Sequence, residues 1–154
     1  MKLRFLSVGK PKSAPAGALF DDYTARIERF GVQVESAWVK ESTGDGRFSP
    51  EHAMEREAKA LLQALPPRGG LIVLDREGKE LDSLELSRRI ESWAKPEAVF
   101  VVGGPLGVHG SLLEKADFRW SLSRLTLPHD LARAILAEQV YRALTLIKRV
   151  PYHK

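Results

Sequence analysis

The sequence predicts an α/β fold: a parallel-sheet, three-layer domain with helices on both faces. Three observations predict it. Strand-like and helix-like stretches alternate in the order βαβαβαβαβα. Two of the strands, "LIVLD" at 71–75 and "EAVFVVGG" from Glu97, are apolar on both faces, as strands of a helix-covered parallel sheet are. The chain has 154 residues, 44% hydrophobic and 29% charged, and a chain of that length buries about 70% of its unfolded surface. No repeat, low-complexity tract or linker interrupts it, so residues 1–154 read as one domain.

The elements follow in order. "LRFLSV" (3–8) reads as a buried strand and "GKPKSAP" as a loop. Residues 16–30 read as a helix with Leu19, Tyr23, Ile27 and Phe30 on one side. "VQVESAWV" (32–39) alternates like a half-exposed strand, and "KESTGDGRFS" is a loop with two glycines. Ser49 caps a helix that has Pro50 at its first position and Glu51 in its first turn, and it stops near Leu65 before "PPRGG". After "LIVLD", "REGKEL" reads as a turn. Asp82 and Glu85 form a capping box for a helix to about Ala94. After the strand ending in Gly103 and Gly104, Ser111 and Glu114 form a second capping box for a short helix. "RWSLS" is the last strand. Residues 128–148 form the longest helix, with Thr126 able to cap it and Pro128 suited to its first position.

Composition excludes several classes of chemistry. There is no cysteine, hence no disulfide, thiolate metal site, iron–sulfur cluster or Cys nucleophile. His52, His109, His129 and His153 lie far apart, without the HxxxH or HExxH spacing of a metal site. No metal is therefore expected. The apolar run at the N-terminus is too short for a signal peptide, and no stretch reaches the ~20 apolar residues of a membrane span. These readings predict a cytoplasmic protein without a membrane partner. The net charge of +4 is compatible with a polyanionic partner, although no block of Lys and Arg resembles a basic arm.

Open α/β sheets bind ligands beyond the carboxyl ends of their strands. Three loops qualify here: after Leu74–Asp75, after Val102 and after Ser123. "VVGGPLG" lets backbone approach a ligand closely. It is neither G-x-G-x-x-G nor followed by Lys-Ser/Thr, so it suits a dinucleotide or triphosphate poorly; the plainer reading is a tight turn. "SLSRLTLP" offers backbone groups that can read an adenine edge and leucines that can cover its faces; the plainer reading is a helix start. The last helix is apolar on two faces, one through Leu131, Ile135, Leu144 and Ile147, the other through Leu136, Val140 and Ala143. It is expected to be buried on both sides, the second by another subunit. Glu138, Arg142, Thr145 and Arg149 make a polar stripe that presents an arginine to a phosphate or forms a surface ion pair. The terminal "PYHK" is either a frayed end or an aromatic, an imidazole and a cation placed for a base and its phosphate. His129 reads as a cap or packing residue. Trp38, Trp93 and Trp120 read as core or interface aromatics.

Together, "VVGGPLG", "WSLSRLTLPHDLARAILAEQVYRA" and the terminal "PYHK" closely resemble the ribosomal large-subunit pseudouridine-N3 methyltransferases. These are small members of the SPOUT class of S-adenosylmethionine-dependent RNA methyltransferases. The resemblance spans the chain, dense from Phe100 to Lys154 and looser from Val39 to Gln63. It implies a C-terminal deep trefoil knot, which sequence rules alone do not suggest, and a homodimer with the last helix at its interface. It implies S-adenosylmethionine as cofactor, bent among three loops at Leu74, at Gly104, and at Ser123, Arg124, Leu125, Thr126, Leu127 and Pro128. It also implies ribosomal RNA of the large subunit or whole ribosome as partner, recognised as a preformed shape, since no separate RNA-binding domain is present. His153 and Tyr152 are the candidates for base handling in catalysis, and Arg142 for phosphate or anion contact. Leu106 stands where some relatives carry an acid. The Gly- and acid-containing stretch 41–49 does not suit an RNA contact. Two competing readings are a non-catalytic RNA- or ribosome-binding protein on the same fold, and a small nucleotide-binding enzyme using the glycine loop.

Overall fold

The structure is a computed structural model that describes residues 1–44 and 46–154. Asp45, in the loop expected after the second strand, lies outside them. The elements are β1 (Lys2–Val8), α1 (Ala14–Glu28), β2 (Gln33–Val39), α2 (Pro50–Gln63), β3 (Gly70–Glu80), α3 (Ser83–Trp93), β4 (Glu97–Val102), α4 (Gly110–Leu113), β5 (Phe118–Ser121) and α5 (His129–Lys148). The strands form one sheet in the order β2-β1-β4-β3-β5, and every pairing is parallel.

Alternation along the central strands sorts side chains into two layers. Leu3 and Phe5 of β1 and Phe100 and Val102 of β4 face one side with Phe20 and Ile27 of α1, Leu86 and Ile90 of α3, and Leu136, Val140 and Leu144 of α5. Leu6 and Val8 of β1 and Val99 and Val101 of β4 face the other side with Ala58 and Leu61 of α2 and Leu112 of α4. Phe100 is fully buried, stacked on Phe5 at 5.6 Å and edge-on to Trp93 and Trp120. Burial of such a side chain stabilises by roughly 2–3 kcal/mol.

Several expectations change in detail. The helix expected from residue 16 starts at Ala14, because Ser13 Oγ accepts from the Ala16 N–H. Its core face is Ala16, Phe20 and Ile27, and Leu19 is exposed. "REGKEL" is not a turn. It belongs to β3, whose pairing with β5 slips so that Leu74 and Lys79 both face Trp120. The short helix α4 is capped by His109, whose Nδ1 accepts from the Ser111 N–H, rather than by a Ser111–Glu114 box. Thr126 does not cap α5; Pro128 holds the cap position without a side-chain bond. Trp38 lies half-exposed on the edge strand β2, whereas Trp93 and Trp120 are core residues. Thr145 leaves the polar stripe: it is fully buried, and its hydroxyl is satisfied by the Arg142 carbonyl, which is how a threonine tolerates a helix interior. The cap at Ser49 and the box at Asp82–Glu85 form as expected.

In α5, Ala132, Leu136, Ala137, Val140, Ala143 and Leu144 are buried against this chain alone. Leu131 is exposed and Ile135, Glu138 and Arg142 are half-buried. That row, at helical spacing, leaves one stripe of the helix uncovered.

Candidate functional site

A cavity of about 830 Å³ opens at the carboxyl ends of β3, β4 and β5. Its first wall is the slipped part of β3. The slip pushes Asp75, Arg76 and Glu77 out of the ladder and onto the cavity. Asp75 Oδ2 accepts from Arg119 Nε at 2.8 Å, and Arg76 Nη1 donates to Thr126 Oγ1 at 2.6 Å. The second bond ties the first wall to the third.

The second wall is the glycine loop after β4. The Gly107 N–H donates to the Gly104 carbonyl at 3.0 Å, closing a tight turn. A Cβ on Gly103 would stand 2.6 Å from Val108 Cγ2, and one on Gly104 would stand 3.1 Å from Val8 Cγ1. Position 103 therefore has no room for a side chain within the turn, and at 104 a side chain fits only if its neighbours give by a few tenths of an ångström. Leu106 is exposed at the rim.

The third wall runs from Leu122 to His129. Ser123 Oγ accepts from the Leu125 N–H at 3.0 Å, which bends the loop, and Leu125 projects from it, 75% exposed. Of the residues singled out in the sequence, Leu74, Gly104, Ser123, Leu125, Thr126, Leu127 and Pro128 line the cavity. Arg124 does not; it is exposed outside the lining, turned away at the bend that Ser123 makes. Sequence reasoning missed Arg76, Glu77, Arg119 and His129. The first two were hidden because "REGKEL" has turn composition, and only the slipped pairing with β5 brings them to the wall.

The lining is largely aliphatic, with a few polar groups and much exposed backbone, and its volume is that of a small-molecule site. Its arginines are already engaged, Arg119 with Asp75 and Arg76 with Thr126, and no lysine lines it. A triphosphate would find few free cations here. A ligand with a flat heteroaromatic ring and a modest polar tail fits these walls better. Among the described residues no group of three or more His, Asp or Glu is placed to hold a metal ion.

The second constellation lies at the far end of α5. Arg149 adopts the left-handed conformation (φ 56°), and the Val150 N–H bonds back to the Thr145 carbonyl at 2.9 Å. The chain thereby reverses and lays its tail on the helix. Tyr152 Oη donates to Glu138 Oε1 at 2.9 Å, and the same oxygen accepts from Arg142 Nε at 3.1 Å. The Tyr152 ring packs edge-on to Tyr141 at 4.8 Å and under the Arg142 guanidinium at 4.7 Å. His153 Nδ1 is 3.4 Å from Arg142 Nη1. The three residues proposed from sequence therefore do meet, organised by a glutamate. Burial, followed by the bonds with Tyr23 and Glu138, pushes the Tyr152 phenol well above its ordinary range. The Glu138 bond raises Arg142. Both groups stay protonated at neutral pH, so Tyr152 acts as a donor. Arg142 lies thirteen positions along α5 from His129 at the cavity, a span of about 20 Å.

Residues 1–153 match the family described as "Predicted SPOUT methyltransferase". Several curated relatives align end to end with the chain. One from Methylobacillus flagellatus is 38% identical over 156 residues, covering 100% of this chain and 99% of its own length. One from Coxiella burnetii is 39% identical, with both chains covered in full. One from Maridesulfovibrio salexigens is 36% identical over 99% of this chain and 97% of its own. Each of the three is named "Ribosomal RNA large subunit methyltransferase H". With the parallel α/β sheet, the loop-walled cavity at its carboxyl edge and a match over nearly every residue, the chain belongs to the SPOUT methyltransferase family.

Proposed function

We propose that this protein methylates N3 of a pseudouridine in large-subunit ribosomal RNA, with S-adenosylmethionine as methyl donor, acting on assembled subunits or ribosomes in the cytoplasm. The observation that carries the reading is the cavity, walled by the same three loops that the family resemblance assigns to the cofactor. The relatives' shared name supports ribosomal RNA as the substrate class. In this reading residues 1–154 act as one methyltransferase domain whose C-terminal part is threaded as a trefoil knot. Among the described residues no helix is long and apolar enough to cross a membrane.

S-adenosylmethionine supplies an activated methyl group as a sulfonium. The chain's own part is positioning, the largest contribution available to an in-line displacement. Leu74, Gly104 and Leu125 to Pro128 would hold the donor, with Leu125 and Leu127 available to cover its adenine and backbone groups of the third wall available to read its edge. Ser123 shapes that wall. Arg124, exposed beside it, is placed for the RNA side.

The tail cluster handles the substrate. Arg142, fixed by Glu138, presents a cation to phosphate or to the anion developing on the base. Tyr152 and His153 stand beside it for contact with the base. About 20 Å of helix separates this cluster from the cavity of the same chain. A homodimer packed through the uncovered stripe of α5 would bring one chain's tail to the other's cavity.

Calorimetric titration with S-adenosylmethionine tests the donor site, and absence of binding would sink the enzyme in favour of a non-catalytic ribosome-binding protein. Mass spectrometry of large-subunit RNA from cells lacking the protein tests the product; the loss of one methyl group at a pseudouridine is expected.

A further inference from the structure

His129 lines the cavity beside the third wall, and its surroundings are not those of a packing residue. Its Nε2 is sealed from solvent without an aligned hydrogen bond and lies 3.2 Å from Asp130 Oδ1. Asp130 is itself buried, only 9% exposed. Its Oδ2 accepts from the Lys12 and Ser13 N–H groups at 2.9 and 2.7 Å, while Oδ1 has no hydrogen-bond partner. A buried carboxylate oxygen left open beside a buried ring nitrogen is costly unless it serves a purpose.

Gly9 brings a further acid close. A Cβ there would stand 3.3 Å from Glu41 Oε2 and 3.9 Å from His129 Nε2. Asp130 of α5 thus stands at the buried nitrogen of the ring, and the Glu41 carboxylate, from the segment after β2, lies against the same glycine. The side chain keeps 23% of its surface exposed although Nε2 is sealed, so the open part of the ring lies away from that nitrogen, on the side of Nδ1. In the cluster at the far end of α5, by contrast, Tyr152 is held protonated and His153 sits against the Arg142 cation. Tyr152 therefore donates there and is not a proton acceptor.

We infer that His129 is the group that takes the proton from the acceptor nitrogen of the base, with Asp130 as the positioning residue behind it. This rests on the methyltransferase reading above and adds a residue to the same site. An Asp130 oxygen accepting from Nε2–H fixes the tautomer in which Nδ1 carries the lone pair. The imide N–H of the base gives its proton to Nδ1. The nitrogen lone pair then bonds the methyl carbon as the carbon–sulfur bond breaks, and that electron pair stays on sulfur. The imidazolium, stabilised by Asp130 and Glu41, returns the proton to water. The 3.2 Å approach is out of line in the resting chain, as hydrogen bonds of this kind often are before substrate tightens them.

Two measurements test the assignment, one independent of turnover. Long-range ¹H–¹⁵N correlation spectra of the wild-type protein, with His129 identified by its absence in His129→Gln, should show the Nε2–H tautomer. Asp130→Asn should mix the tautomers. A His129 ring in the Nδ1–H form would overturn the proposal, whatever the activity of the variants. In methylation of ribosomes, His129→Gln should lower kcat by about 10²-fold, the lower end of general-base effects, with KM for ribosomes and the Kd for S-adenosylmethionine unchanged. Wild-type kcat in this variant would also overturn it. If the wild-type protein neither binds S-adenosylmethionine nor methylates ribosomes, the methyltransferase reading itself fails, which is a separate outcome.

Discussion

Gly103 and Gly104 are adjacent but small for different reasons. A methyl group at 103 would strike Val108 Cγ2 at 2.6 Å and the Gly107 carbonyl oxygen at 3.2 Å, so it would break the turn itself. One at 104 meets Val8 Cγ1 at 3.1 Å and Glu57 Oε1 at 3.4 Å, contacts that a shift of a few tenths of an ångström relieves. Gly103→Ala should therefore destabilise by about 1–3 kcal/mol, in the range of overpacked cores, read as a lower urea midpoint. Gly104→Ala should leave the midpoint nearly in place but weaken S-adenosylmethionine binding, read by calorimetry. At the other end of the chain, Tyr152→Phe removes the donor to Glu138 Oε1 and His153→Ala removes the imidazole beside Arg142. Both should lower methylation of ribosomes without changing cofactor affinity. Full activity in both would remove the tail from the mechanism.

Among the elements, α5 combines the most roles. Its start forms part of the cavity, its middle fills the core against α1 and α3, and its end anchors the tail. The reversal at its end uses Arg149 at φ 56°, the left-handed conformation that glycine adopts without strain. Arg149→Gly should stabilise the fold by up to about 1 kcal/mol in urea unfolding, because the same turn would form without a Cβ penalty. At the start of α3 the Asp82–Glu85 box is complete, with bonds of 2.7 and 3.0 Å. Asp82→Ala should cost about 1 kcal/mol, and serves as a control remote from both clusters.

Across the whole molecule, Asp130 ties the segment after β1 to the start of α5, joining residues 118 and 117 positions apart. Burial pushes its carboxyl up, but the Ser13 and Lys12 bonds and the charges of His129 and Arg133 outweigh it and hold it below its ordinary 3.8. A carboxylate depressed in the folded state adds stability that is full above the unfolded value and is lost as pH falls through the folded one. Stability should therefore fall as the pH drops below 3.8, and Asp130→Asn should flatten that part of the pH dependence, measured by urea unfolding. The separation of the tail from the cavity makes a further prediction. Mixing chains disabled in the cavity (Gly104→Ala) with chains lacking the tail imidazole (His153→Ala) should restore part of the activity in mixed dimers. No recovery would place both groups in one chain's site.

Much of this was legible in the sequence because it depends on local rules. Alternation, helical periodicity and continuous apolar runs located most of the elements, and side-chain caps at Ser49 and Asp82 marked two helix starts. The three ligand-facing loops followed from strand ends. Other features depend on which distant segments meet. Nothing local in "REGKEL" says that residues 75–78 leave the ladder, because the slip is defined only against Trp120 of β5. Nothing in "PHD" reveals that Asp130 holds the loop after β1, or that His129 and Glu41 both lie against Gly9. The fold class and the chemistry of the loops were set by the sequence itself, through backbone periodicity and residue type. The choice of which polar groups are buried, paired or left open was made only by tertiary packing, because desolvation and hydrogen-bond geometry exist only once the segments are brought together.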